Sequence, residues 1–285
     1  TGQLGRSIQS IIGDYPEFEF VFASRQHLDL SHKGAIAKFF ERKAFDIIIN
    51  CAAYTAVDKA ESEVELANQV NHLAVKQLAT IAKCHQAKLI HISTDYVFSG
   101  KQHRPYIETD EVAPNGVYGK TKLQGEQAIQ KILKTNAIIL RTGWLYSEYG
   151  NNFVKTILKL GQGRDSLNVI NDQVGTPTYA RDLAKLIIGI IESQTFGRID
   201  VKTNIFHFSN EGLCSWYDFA KSIFEITNTQ CQIDPIGTRD YPTPATRPHY
   251  SVLNKAKIKE EYDLIIPYWR DSLEQCLTAL KGKIL

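Results

Sequence analysis

Methionine is absent from all 285 residues, and cysteine is scarce. Cys51, Cys84, Cys214, Cys231 and Cys276 are odd in number, dispersed, and contain no C-x-x-C pair. That pattern excludes a disulfide framework and a cysteine metal site and fits reduced thiols in a cytoplasmic protein. No histidines stand at H-x-x-x-H spacing, so no metal is expected, and His91, inside an apolar run, reads as a packed strand residue. Long hydrophobic runs are missing too. The longest, 183–191, is interrupted by Lys185 and falls well short of the roughly 20 residues that cross a bilayer, which argues against a membrane partner. Charge is nearly balanced at +2, with no basic stripe interleaved with aromatics, so nucleic acid has no electrostatic footprint. There is no internal repeat, low-complexity segment or flexible linker.

What is present is an apolar content of 43%, enough in a chain this long to bury a core for one nucleotide-binding domain and a smaller lobe. Short apolar runs alternate with amphipathic stretches. Strands are expected over 18–23, 45–50, 88–93, 137–142 and 205–209, and helices over 33–43, 64–84, 119–134, 153–160, 179–193 and 215–227. This β-α alternation with nearly unbroken apolar strands predicts an α/β fold, a doubly wound parallel (Rossmann) sheet that places ligands at the carboxyl ends of its strands. The second half is more interrupted and carries Pro235, Pro242, Pro244 and Pro248. The expected division is a dinucleotide-binding domain over 1–145, rejoined by a segment around 178–210, and a substrate-binding lobe made of 146–177 and 211–285.

The chain opens on Thr1-Gly2-Gln3-Leu4-Gly5, the second half of a glycine-rich turn entering a helix, with no strand before it. Residues are therefore expected to precede Thr1. Gly2, Gln3 and Leu4 at a helix start would suit a pyrophosphate, and a plain tight turn is the bland alternative. The second strand ends on Ser24-Arg25 with no carboxylate, which favours NADPH over NADH, unless Arg25 is only a solvated turn residue; Asp29 and Leu30 would line the adenine pocket. Ala52, Ala53 and Tyr54 end the next strand with small residues that let a cofactor, or a packed helix, lie close. Asp58 stands where it could equally cap a helix.

Two further features carry chemistry. Tyr118 and Lys122 are four apart, which on a helix sets phenol and ammonium side by side and lowers the phenol's pKa; a surface pair is the plain alternative. Thr94, in Ser93-Thr94-Asp95-Tyr96-Val97-Phe98, falls at the tip of a strand, where its hydroxyl could bind the oxygen that Tyr118 protonates. Arg247, in the proline-rich loop, is either a diphosphate contact or a surface arginine.

Several blocks in order resemble the dTDP-4-dehydrorhamnose reductase family of extended short-chain dehydrogenases/reductases. They are the segment 52–61, the Thr94 and Tyr118 blocks, Arg141-Thr142-Gly143-Trp144, Gly150-Asn151-Asn152-Phe153, the segment 171–177, and Tyr241-Pro242-Thr243-Pro244 with Arg247-Pro248. The resemblance implies NADPH-dependent reduction of the C4 ketone of a dTDP-linked 6-deoxyhexulose by a monomer or homodimer. It implies that Tyr118 is the proton donor, that Lys122 binds the nicotinamide ribose, and that Thr94 bonds the C4 oxygen. Asp95, Trp144, Val57 and Asp58 are then implied to contact the sugar nucleotide. Related dehydratases carry Thr-Asp-Glu where this chain has Thr94-Asp95-Tyr96, so the base that removes a C5 proton is missing. Ser7 stands where some members carry a glutamate for a bridging Mg²⁺, which again implies no metal. The alternatives are a reductase or epimerase of another nucleotide-linked 4-keto sugar and a non-catalytic NADP-binding regulatory subunit.

Overall fold

Successive residues of a strand face opposite sides of its sheet, so the unbroken apolar run Ala137–Thr142 needs cover on both faces. The computed structural model, which describes residues 2–197 and 202–284 and so leaves Thr1 outside, supplies both covers. In chain order the main elements are α1 (Gln3–Gln9), β1 (Ile47–Asn50), a helix α2 spanning 64–84, β2 (Lys88–Thr94), α3 (Val117–Ile132), β3 (Ala137–Thr142) and α4 (Phe153–Gly161). They continue with β4 (Ser166–Ile170), α5 (Ala180–Glu192), β5 (Asn204–His207), α6 (Trp216–Thr227), β6 (Gln232–Ile236) and α7 (Trp269–Ile284).

Four strands form a parallel sheet in the order β1-β2-β3-β5. Ile90, Ile138, Leu140 and Phe206 pack on one face against Leu4 and Ile8 of α1 and against α5. Leu89 and Ile139 point the other way, against Val75, Ala79 and Ala82 of α2 and Ile129 of α3. All are nearly solvent-free; burying side chains of this size stabilises by roughly 1.5–3 kcal/mol each. The second core gathers α4, α6 and α7 over the parallel pair β4-β6, with Val154, Ile157, Phe219, Ile223, Leu273 and Leu277 at its centre. Helix α6 starts sharply because Ser215 and Asp218 form a reciprocal capping box.

Three expectations are corrected. Residues 18–23 form no strand: a strand exists through hydrogen bonds to a neighbour, and β1 is the edge of the described sheet on that side. Phe20 and Phe22 still pack into the core beneath α1 and β1. The helix expected over 33–43 shrinks to Ala35–Phe40, starting after Gly34 at φ +84°. Helix α2 is not uniform: a π-helical turn, Gln69–Leu73, interrupts it between Val64–Asn68 and Ala74–Cys84.

That π turn carries Asn71, which is almost fully buried. Its Oδ1 accepts from the Tyr54 amide at 2.8 Å, and its Nδ2 donates to the Tyr54 carbonyl at 3.1 Å and to Thr121 Oγ1 at 3.3 Å. One side chain thus ties the exit of β1 to α3. A Cβ on Gly125 would lie 2.4 Å from the Asn71 carbonyl oxygen, so glycine is what allows α3 to approach this closely.

Candidate active site

The carboxyl ends of β1, β2 and β3 and the first turn of α3 converge on one place. Thr94 is the last residue of β2, in register with Thr142 of β3. Its hydroxyl accepts from the Tyr96 amide at 3.2 Å, capping the short turn Asp95–Val97, and donates to Asp95 Oδ1 at 3.0 Å. Tyr118 lies in the first turn of α3, with its phenol close to the Thr94 hydroxyl. Tyr118, Thr94 and Asp95 thus form a line of two hydroxyls and a carboxyl, in which Thr94 donates to Asp95. Helix α3 gets near enough because residue 119 is glycine: a Cβ there would lie 2.2 Å from the Tyr96 carbonyl oxygen.

Electrostatics at this line oppose the simple expectation from spacing. Burial pushes the Tyr118 phenol well above its ordinary pKa; the nearby Thr94 hydroxyl works against this, while Asp95 and Tyr96 add to it. Lys122, nearly solvent-free, does not act on the phenol: its Nζ donates to the Ile92 carbonyl at 2.5 Å and meets His91 Nε2 at 3.3 Å. The expected lysine-lowered tyrosine is therefore corrected. Desolvation outweighs the i,i+4 relation and also pushes Lys122 itself down to about 8, with Glu126 opposing.

Asp58, Tyr96 and Arg247 form one cluster. Asp58 lies inside a one-turn helix, Val57–Ala60, and caps nothing. Its Oδ2 pairs with Arg247 at 2.7 Å, and Arg247 lies near the Tyr96 phenol, whose ionisation it favours; the Tyr96 ring meets that of Tyr118 edge-on, centroids 5.4 Å apart. Arg247 is thus a tethered, partly covered cation rather than a free surface arginine. Trp144 holds φ at +49°, unusual outside glycine, and its indole stacks face to face on Trp216 at 3.4 Å. A Cβ on Gly175 would lie 2.6 Å from that indole.

The residues singled out for a cofactor lie along the adjoining edge. The Gln3 amide is occupied by the Leu145 carbonyl, Ser147 and Asn152, and the Leu4 side chain is buried in the core, which leaves their backbones for a ligand. Gly2 and Gly5 face open space. Ala52 is exposed, and Ala53 and Tyr54 are half-buried. Ser24 bonds His27, and Arg25, three-quarters exposed, pairs with Asp29 at 3.1 Å. Hydrogen bonds from Ser31, aided by Arg25, pull the Asp29 carboxyl far below its ordinary range. The Leu30 side chain packs inward on Ile36, Phe40 and Leu78.

A protein-family model described as RmlD substrate binding domain matches residues 1–281. A dTDP-4-dehydrorhamnose reductase of Aggregatibacter actinomycetemcomitans is 41% identical over 279 residues, covering 96% of this chain and 94% of its own. This chain belongs to the dTDP-4-dehydrorhamnose reductase family. The crystal structure of a dTDP-4-dehydrorhamnose reductase from Clostridium acetobutylicum superposes with a TM-score of 0.92 at 41% identity, over 99% of this chain and 97% of that one. Another, from Bacillus anthracis in complex with NADP, gives 0.89 at 36% identity over 98% and 96%.

Sequence patterns within this dTDP-4-dehydrorhamnose reductase family member gave no role to Trp216, Asn71 or Glu126, and quoted Ser93 and Arg141 only as parts of longer blocks, without their shared buried bond to Glu126. Only Trp216 had a signal, as one of three tryptophans. Asp95 carries a testable stability consequence. Burial raises its carboxyl to about 6, with the nearby Ser251 and Thr94 hydroxyls pulling the other way. The folded chain then binds the proton more tightly than the unfolded one. The stability this gives is complete below about pH 4 and is lost as pH rises through about 6. Asp95→Asn is expected to raise stability at pH 8 by up to about 3 kcal/mol, two units at 1.36 kcal/mol each, and to leave it unchanged at pH 4. Urea unfolding at both pH values checks this; an equal effect at both would contradict it.

Proposed function

We propose that this chain reduces the C4 ketone of dTDP-4-dehydro-6-deoxy-L-mannose, using NADPH, to give dTDP-L-rhamnose. The observation that carries the proposal is the pair of hydroxyls, Tyr118 and Thr94, side by side at the carboxyl end of β2 near a buried lysine. Ketone reduction builds negative charge on the C4 oxygen, and aimed hydroxyl donors stabilise that charge. Tyr118 donates the proton, and Thr94 holds the oxygen. Asp95 accepts from the sugar hydroxyls, and Trp144, Val57, Asp58 and Arg247 line the nucleotide-sugar pocket. Tyr96 stands in place of a carboxylate base, which favours reduction over dehydration.

The open space over Gly2 and Gly5, the exposed Ala52 and the largely exposed Arg25, held by Asp29, fit a dinucleotide. Backbone groups of Gly2, Gln3 and Leu4 would hold its pyrophosphate, and Ser24 and Arg25 its 2′-phosphate. Asp29 and Leu30 would flank the adenine, Ala52, Ala53 and Tyr54 the middle of the cofactor, and Lys122 the nicotinamide ribose. NADPH, or less favourably NADH, supplies the hydride. In this assignment residues 1–145 with 178–210 carry the cofactor, and 146–177 with 211–285 form the substrate lobe.

Loss of NADPH absorbance on adding the dTDP-4-keto sugar, compared with UDP- and GDP-linked analogues, tests the proposal. Tight NADPH binding without turnover of any of them would instead indicate a regulatory subunit. Arg25→Ala is expected to raise the KM for NADPH about tenfold, the loss of one charge-assisted contact, while leaving that for NADH unchanged. Steady-state kinetics with both cofactors checks this, and an equal change for the two would remove Arg25 from the 2′-phosphate site.

A further inference from the structure

Asn50, His91 and Lys122 form a buried line across β1, β2 and α3, with exposures of 5%, 0% and 2%. Its hydrogen-bond logic fixes the state of the lysine. Asn50 Oδ1 accepts from the Ala52 amide at 3.2 Å, so the Asn50 amide can turn only its Nδ2 toward His91, whose Nδ1 lies 3.0 Å away. Nδ1 must then be the acceptor, and in a neutral imidazole the proton sits on Nε2. Burial holds His91 neutral. Nε2–H points at Lys122 Nζ, 3.3 Å away. An ammonium there would set donor against donor. A neutral amine satisfies every group: it accepts from His91 and donates to the Ile92 carbonyl.

We propose that Asn50 and His91 favour Lys122 as a neutral amine in the cofactor-free chain at alkaline pH, and that NADPH binding there draws one solvent proton onto it. The ammonium so formed has no acceptor at His91 and turns toward the ribose hydroxyls and Tyr118. Asn50 and His91 are positioning residues; Lys122 alone gains the proton, –NH₂ plus H⁺ giving –NH₃⁺. The ionisable groups facing Lys122 are His91 from β2 and, on its own helix, Glu126, whose carboxylate is already engaged by Arg141 of β3 and Ser93 of β2. Desolvation, which pushes Lys122 down to about 8, acts in the same direction as this hydrogen-bond arrangement. The inference rests on the reading that the chain binds NADPH.

Calorimetry of NADPH binding at pH 9, in two buffers of different ionisation enthalpy, tests it. The native chain should take up close to one proton per NADPH at pH 9 and several-fold less at pH 7, where the amine is already mostly protonated. In Asn50→Asp the carboxylate accepts from both the Ala52 amide and His91 Nδ1–H. The tautomer then reverses, Nε2 becomes an acceptor for an ammonium, and uptake should fall at least threefold. His91→Phe should fall likewise without adding a charge, and Lys122→Met should show no uptake. A second measurement needs no cofactor: the ¹³Cε resonance of Lys122, assigned by its loss in Lys122→Met, should report a neutral amine at pH 9 in the native chain and an ammonium in Asn50→Asp. NADPH binding without uptake, a native Lys122 charged at pH 9, or unchanged uptake in both Asn50→Asp and His91→Phe would overturn the inference. A neutral Lys122 in a chain that does not bind NADPH would overturn the functional reading and leave the lysine state standing.

Discussion

Tyr118→Phe is expected to lower kcat by about 10³-fold, within the range for loss of a positioned general acid, while NADPH affinity stays within twofold. The substitution removes one oxygen and leaves the ring edge-on to Tyr96, so the packing of α3 is unchanged. What goes is the phenol proton beside Thr94 and Asp95. Steady-state kinetics with fluorescence titration of NADPH reads both quantities. Retained turnover would remove Tyr118 from the chemistry, and equal losses in kcat and cofactor affinity would make its role structural.

Glu126→Gln should destabilise the chain by about 3–5 kcal/mol, the usual cost of stranding one partner of a buried ion pair. Glu126 and Arg141 are both almost solvent-free, and the guanidinium binds the carboxylate through two nitrogens, at 2.7 and 3.0 Å. Ser93 donates to the same carboxylate at 2.5 Å, so α3, β2 and β3 are joined at one point behind the active site. The melting temperature should drop on the order of 10 °C. The double variant Glu126→Leu with Arg141→Met, which leaves no buried charge, should recover most of the loss. A single-variant effect under about 1 kcal/mol would show that the pair is solvated after all.

Legibility followed the range of the interaction. Strands β2 and β3 and helices α3, α4, α5 and α6 were visible within a residue or two because their periodicities are local. The stretch 18–23 has equally apolar residues yet forms no strand, since strand character depends on a neighbour outside the window being read. The π turn at Gln69–Leu73 follows from what Asn71 bonds, at Tyr54 and Thr121, far along the chain.

At the site, Thr94 and Tyr118 were legible as residue types at meaningful positions, and the structure brings their side chains together. Spacing did not reveal the net direction of the electrostatics, because i,i+4 geometry says nothing of burial, and burial dominates at both Tyr118 and Lys122. Arg247 was ambiguous as a sequence feature until its pairing with Asp58, from a segment early in the chain, fixed its place. Trp216 carries no motif; it matters through its stack on Trp144.

The most direct test of the account is the fate of the hydrogen delivered to the sugar. With NADPH deuterated at the transferable C4 position and the dTDP-4-keto sugar as substrate, mass spectrometry and NMR of the product should find dTDP-L-rhamnose with one deuterium, at sugar C4, and the cofactor oxidised in equal amount. Product with no deuterium at C4, or no product from a chain that binds both ligands, would contradict it.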